Sequence, residues 1–340
     1  MKREKSFFYS LSLTTIKVFA FLVVMAAGSK FVLAQSSSIL LESNGVRLGR
    51  FTSGDDGFRT NSYWVEGRDG IIVFDTQFLP DIAQRLVYEI RRTSQKPIRF
   101  AVNLHANPDK FNGNGVFVGY GAQLITNQAT RNAMPAVDAA KRAFWTTVPA
   151  YADRYPAVVP FPEGAGIITD REIPRDDNPD PRDPVRGNAR RVINLGNVQV
   201  ILYALKKEAV SVPQAVGVVK IGTQTAVIVG DLVSVKTHAW LENGTPYSWI
   251  AALNELQSIV PEGGRIYPGR GPSAAFSAGV GALNEQKKYL DVYIRAMIAT
   301  ENLANDRDRR VAEVRRRLVA AFPDYQLPDF INYSLPNSIR

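Results

Sequence analysis

The chain has 340 residues, with 41 Lys and Arg against 32 Asp and Glu, two His and no Cys; 45% of residues are hydrophobic and 21% charged. That balance is ordinary for a globular protein and excludes a disordered or collagen-like chain. The missing cysteines exclude disulfide staples, thiolate zinc sites, iron–sulfur clusters and cysteine nucleophiles, and two imidazoles leave little for histidine-based chemistry.

Lys2, Arg3 and Lys5 precede an apolar run at residues 18–27, and Val32-Leu33-Ala34 places small residues where a signal peptidase cuts. The run is shorter than the roughly 20 residues of a membrane span. Residues 1–34 therefore read as an export signal cleaved before Gln35, and the mature protein as periplasmic or secreted in a bacterium, with no stable membrane insertion. No Cys follows the run, which excludes a lipoprotein anchor. Cleavage removes five Lys/Arg and one Glu, leaving +5 of the original +9.

Residues 61–67 and 70–76 read as two strands joined by a turn at Arg68-Asp69. An amphipathic helix over 80–92, entered at Pro80, carries Ile82, Leu86 and Ile90 on one face, and a buried strand follows at 97–104. Residues 174–191, rich in Pro, Asp and Arg, cannot bury much apolar surface and are expected to form an exposed loop. β-Branched runs at 198–204, 216–221 and 225–230 predict further strands. A helix over 249–259, a short strand at 265–268 and a helix over 283–299 with Leu290, Ile294, Met297 and Ile298 on one face complete the pattern. Arg307, Arg309, Arg310, Arg315, Arg316 and Arg317 alternate with acids as on a solvated helix face, and no recognition motif points to nucleic acid. Strands alternating with helices in both halves predict an α/β layered fold.

The strand that runs into His105-Ala106-Asn107-Pro108-Asp109-Lys110, followed by Gly113-Asn114, resembles the metallo-β-lactamase fold family, in which this place holds H-x-H-x-D-H. Gly230-Asp231 at the end of a strand, and Pro268-Gly269-Arg270-Gly271-Pro272 in place of P-G-H-G-P, match later landmarks in the correct order. The resemblance covers roughly residues 40–300. It implies a four-layer αββα sandwich of two mixed sheets flanked by helices. It further implies a domain at 35–300, with residues 301–340 as a helical or irregular extension packed on it.

The family holds two zinc ions with about seven ligands and acidifies a bridging water. Carried over residue by residue, His105, Asp109 and Asp231 keep ligand types, whereas Asn107, Lys110 and Arg270 replace imidazoles. The remaining position falls on Ser211, with Glu208 as the alternative. His238 matches no ligand position and reads as a support or surface residue. The expectation is a site without zinc, in which Arg270 pairs with Asp231 and Lys110 with Asp109, because unpartnered buried carboxylates are costly.

Two functional readings follow. In the first, hydrolysis is lost and a small anionic ligand binds between Lys110 and Arg270; on this reading the chain leans away from being an enzyme and has no cofactor. In the second, an ester, thioester or lactam hydrolase uses one weakly held metal, better suited to Mn²⁺ or Mg²⁺, on His105, Asp109 and Asp231. A structural or partner-binding subunit is a third possibility. Phe58, Tyr63, Trp64, Phe111, Phe117, Trp240, Tyr247 and Trp249 stand near the segments that surround the ligand mouth in this family, and a minority of them are expected to line a pocket. No G-x-S-x-G elbow occurs and no serine nucleophile is indicated.

Overall fold

The computed structural model describes residues 35–157, 166–168, 189–242, 245–272, 274–277 and 280–339. The expected leader at 1–34, residues 174–188 and the Asn243-Gly244 turn lie outside the described residues. No described helix is long and apolar enough to cross a membrane.

The first sheet contains β1 (Ser36–Ser43), β2 (Val46–Thr52), β3 (Asn61–Gly67), β4 (Gly70–Phe74), β5 (Ile98–Val102) and β6 (Gln123–Ile125), in that spatial order. β1 to β4 are antiparallel neighbours, while β4, β5 and β6 run parallel. The second sheet holds β7 (Arg190–Asn194), β8 (Gln199–Ala209), β9 (Val212–Ile221), β10 (Gln224–Ser234), β11 (Arg265–Arg270), β12 (Ala274–Ser277) and β13 (Val280–Gly281), likewise in chain order across the sheet. Among the described strands of this sheet, only β10 and β11 pair in parallel. Arg190 and Arg191 therefore belong to an edge strand; the exposed loop expected at 174–191 gives way before them because they pair with Tyr203 and Leu202 of β8.

Side-chain alternation decides what each sheet face meets. Tyr63 and Val65, Ile72 and Phe74, and Val102 face the second sheet's Val200, Leu202, Ala215, Val219, Ala226 and Ile228 in one core. The intervening residues of the second sheet, Tyr203, Val216, Val227 and Val229, enter another core with the helices. On the first sheet the intervening Trp64, Ile71, Val73 and Ala101 are buried as well, as is the apolar face Ile82, Leu86 and Ile90 of α1 (Pro80–Thr93). Strands covered on both faces read as continuous apolar runs, which explains Ile71-Ile72-Val73-Phe74 and Val227-Ile228-Val229.

Four more helices border the second sheet or the chain end: α5 (Pro246–Ile259), α6 (Ala282–Ile298), α7 (Arg307–Ala321) and α8 (Asp329–Ser338). Between β5 and β7 lie the short α2 (Pro108–Phe111) and α3 (Asn114–Gly119) and the longer α4 (Gln128–Trp145). The result is an αββα sandwich of two mixed sheets. Leu318 of α7 and Ile331 and Leu335 of α8 enter the helix-side core, so residues beyond 300 help to bury the second sheet.

The two sheets approach closely at Gly217 of β9, where an added Cβ would lie 2.4 Å from the Phe74 ring. Phe74 immediately precedes a residue of the site described below, so this contact sets where the site sits relative to the second sheet. Replacing Gly217 with Val is expected to overpack the core and destabilise the protein by about 3 kcal/mol, measured as a shift in urea unfolding midpoint at unchanged slope.

Candidate functional site

The site forms where the C-terminal ends of β4, β5, β10 and β11 converge, each end contributing one or more charged groups. Asp75 follows β4 with φ 62, a left-handed conformation that Asp tolerates better than most residues. Its Oδ1 accepts the Leu104 N–H at 2.9 Å and its carbonyl accepts the Ser62 hydroxyl. The chain after β5 then turns into α2, which carries Asp109 and Lys110. Asn103, Thr76 and Asn114 bind one another and the Lys110 carbonyl, so this turn is held by buried amide and hydroxyl groups. Gly113 is required there, because a Cβ would meet the Thr76 carbonyl oxygen at 1.8 Å.

Asp231 and Arg270 arrive on adjacent parallel strands. Gly230 has φ 53 and Gly269 leaves room for the Gly230 carbonyl, so the ends of β10 and β11 come close enough to place the acid beside the base. Arg270 donates to Asp231 Oδ1 at 2.7 Å and to Asp109 Oδ2 at 2.6 Å, and its Nε donates to the Phe58 carbonyl at 3.2 Å. The Lys110 ammonium lies 2.9 Å from Asp109 Oδ2 and 3.0 Å from Asp231 Oδ1, off the line of a good hydrogen bond, with Asp75 Oδ2 at 3.7 Å. Thr60 donates to Asp109 Oδ2 and Asn107 to Asp231 Oδ2, both at 2.9 Å.

The arrangement is thus a cross-braced cluster rather than two separate pairs: each cation touches both Asp109 and Asp231, with Asp75 as a third acid. Lys110 is fully buried and Arg270 is 3% exposed. Burial alone would raise the pKa of Asp231, but Lys110 and Arg270 outweigh it and hold the carboxyl well below the usual range. The same acids keep both bases protonated against the burial that would lower them. Asp75 differs: burial dominates over the more distant Lys110, and its pKa is pushed up to about 7. When Asp75 holds its proton, the two remaining carboxylates match the two cations.

His105 is fully buried at the edge of the cluster, its Nδ1 3.7 Å from Asp231 Oδ2 and its Nε2 3.5 Å from Ser211 Oγ. Glu208 is exposed on β8 and takes no part. His238 is not a surface residue: it is 1% exposed and binds the Tyr289 hydroxyl at 3.1 Å beside the Tyr325 ring. Its pKa is lowered to about 4, by burial first and Arg315 second.

A narrow aromatic cleft adjoins the cluster and is lined by Phe58, Phe78, Trp145, Trp240 and Phe330 with Asn107, Asp109, Arg270 and Lys141. Phe330 of α8 lies 4.7 Å from the Arg270 guanidinium and packs on Phe58 and Trp240. Lys141 pairs with Glu242 and stands over the Trp240 ring at 4.6 Å. Of the aromatic residues singled out in the sequence, Phe58 and Trp240 line this cleft; Tyr63, Trp64, Phe111, Phe117 and Trp249 are core, and Tyr247 is exposed. The expected anion position between Lys110 and Arg270 is filled by the protein's own Asp109 and Asp231 oxygens, so no ligand fits between the two cations.

The zinc centre that the sequence resemblance implies does not fit these residues. Zinc binds carboxylate oxygen at about 2.0–2.2 Å, whereas guanidinium and ammonium groups already stand against Asp109 Oδ2 and Asp231 Oδ1. Among the described residues no group of His, Cys, Asp and Glu is arranged to hold a metal ion. The sequence offers Asp75, directly after a fully apolar strand, as a possible partner of His105; in the structure it faces Lys110 instead. Sequence reasoning missed Thr60 and Phe330 as neighbours of the cluster, and nothing local marks either.

No protein-family model matches the sequence. Among solved structures, a metallo-β-lactamase from Erythrobacter litoralis with β-mercaptoethanol in its active site aligns at 17% identity and TM-score 0.52, over 76% of this chain and 97% of that one. The metallo-β-lactamase FIM-1 from Pseudomonas aeruginosa, in a mono-zinc form, aligns at 14% identity and TM-score 0.50, over 75% and 95%. Likeness at this identity speaks for the fold.

The two buried titrating groups make opposite contributions to stability. Asp75 binds its proton more tightly folded than unfolded, so its contribution is complete below about pH 4 and is lost as pH rises through 7. His238 holds its proton less tightly folded, so its contribution is complete above about pH 6.5 and is lost as pH falls through 4. In urea titrations between pH 4 and 7, Asp75→Asn is expected to remove a fall in stability with rising pH. His238→Phe is expected to remove a rise. Unchanged slopes in both variants contradict the assignment.

Proposed function

On a chain that has the metallo-β-lactamase fold, we propose a function that does without the family's metal centre: a small molecule binds in the aromatic cleft beside Asp109 and Arg270, and metal-dependent hydrolysis is absent. One observation carries this reading. The two acids at ancestral metal-ligand positions, Asp109 and Asp231, are each held by the same guanidinium and the same ammonium at 2.6–3.0 Å. A divalent ion would have to displace two buried cations from their partners. That argues equally against one weakly held metal on His105, Asp109 and Asp231.

The cleft argues for the kind of ligand. Its aromatic walls favour an apolar or ring-bearing molecule. Arg270 has its N–H groups committed to Asp231, Asp109, Thr60 and the Phe58 carbonyl, so it offers little to an anion. In this reading the protein acts outside the cytoplasm, in keeping with the export signal read from residues 1–34.

Metal analysis tests the proposal. Protein dialysed after incubation with excess zinc is expected to retain well under one equivalent and to leave nitrocefin unhydrolysed. The triple substitution Asn107→His, Lys110→His and Arg270→His returns imidazoles to ancestral positions and is expected to retain about one zinc per chain or more. Stoichiometric zinc in the unaltered protein overturns the reading, whatever the triple variant does.

A further inference from the structure

We propose that Ser211, His105 and Asp231 form a metal-free acyl-transfer site, with Ser211 as nucleophile toward short, uncharged carboxylic esters. This goes beyond the binding role above and uses the side of the cluster that the cations leave free.

The two ring nitrogens of His105 face two different partners. Nδ1 lies 3.7 Å from Asp231 Oδ2, and Nε2 stands 3.5 Å from Ser211 Oγ. This is the order in which a serine nucleophile, its base and an orienting acid are arranged, and distances in a ligand-free site run longer than in the reacting complex. His105 is fully buried and its Nδ1 has no hydrogen-bond partner, an uncommon state for a buried polar atom. Asp231 is kept as a carboxylate by Arg270 and Lys110, so it attracts the imidazole N–H to Nδ1 and leaves the Nε2 lone pair toward the hydroxyl.

The backbone at Ser211 adds an independent observation. The β8–β9 hairpin turns through Val210 and Ser211, and the Ser211 N–H donates to the Ala209 carbonyl at 2.8 Å around Val210 at φ 65. A γ-turn with positive φ is strained, and a β-branched residue is badly suited to it. Such strain persists only where surrounding structure imposes it, and it gathers at functional sites. Here it sets the half-buried Ser211 hydroxyl over the buried imidazole. Val212, next in the chain, packs on the buried cluster of Ala106, Phe111 and Met134, so the neighbourhood of the Ser211 hydroxyl is apolar rather than charged.

In the reaction, Ser211 Oγ attacks the ester carbonyl carbon while its proton passes to His105 Nε2. The carbon–oxygen bond to the alcohol breaks and the alcohol leaves with that proton. Water then attacks the acyl-serine, giving its proton to Nε2, and the carboxylic acid departs as Ser211 recovers its hydrogen. Asp231 acts as a positioning residue through the ring.

The test uses the full chain in EDTA with a fluorophosphonate probe and p-nitrophenyl acetate, the metal content being measured on the same sample. Ser211 is expected to carry the label by peptide mapping. Ser211→Ala is expected to lower ester turnover at least tenfold with an unchanged melting temperature, and His105→Gln to abolish labelling. In ¹⁵N-histidine spectra the His105 ring is expected as the Nδ1–H tautomer, and Asp231→Asn is expected to lower kcat for the ester with KM unchanged, a split that a merely structural Asp231 does not produce. Absence of labelling, or turnover unaffected by Ser211→Ala, overturns the proposal even if His105→Gln fails to fold. Retained zinc would instead count against the metal-free reading of the cleft, so the two failures are distinguishable.

Discussion

Asp109, on the short helix that follows β5 of the first sheet, and Asp231, on β10 of the second, share the same two cations. A carboxylate buried without a partner is expensive, and removing one member of a buried pair typically costs about 3–5 kcal/mol because the remaining charge is stranded. The cluster therefore resists partial loss: taking away Arg270 exposes two acids at once. Arg270 is suited to this place because its planar fork reaches both acids with separate N–H groups. Lys110, a point charge on a flexible stem, sits between the same oxygens from the other side.

The rest of the fold supplies the geometry this bracing needs. Parallel pairing of β10 with β11, with Gly230 and Gly269 removing side chains at their closest approach, sets Asp231 beside Arg270. The amide network around the Lys110 carbonyl fixes the opposite loop, and Thr60 and the Phe58 carbonyl bind the same groups from the segment before β3. The chain end closes the arrangement: Phe330 covers the guanidinium face while Leu335 enters the core behind it. Ionic partners at the strand ends thus join the two halves of the sandwich.

Much of the layering was legible in the sequence because fully covered strands leave continuous apolar runs, as at Ile71–Phe74 and Val227–Val229, and α1 shows its face at Ile82, Leu86 and Ile90. The edge strands β1 and β7 were harder: Ser36-Ser37-Ser38 and Arg190-Arg191 have no apolar signature, because an edge needs only backbone pairing on one side. In the cluster, the pairing of Arg270 with Asp231 and of Lys110 with Asp109 followed from the cost of buried charge. The crossing contacts did not, since they depend on how far β10 and β11 approach each other. The cleft was the least legible part. Phe330 is far from Phe58 and Arg270 in sequence, and an aromatic residue in a polar C-terminal stretch gives no sign of which ring it will meet. Ser211 stood out in the sequence only through the family resemblance, with Glu208 as the alternative, and its closeness to His105 depends on the turn at Val210, which the sequence does not mark.

The central claim is that fixed cations hold Asp109 and Asp231 as one interdependent unit. A double-substitution cycle of Arg270→Met and Asp231→Asn, followed by urea unfolding at pH 7, measures that interdependence most directly. The account expects each single substitution to cost about 3 kcal/mol or more and the pair to cost less than their sum by at least about 1.5 kcal/mol. Additivity within about 0.5 kcal/mol would mean that the two side chains act separately, and would contradict the account.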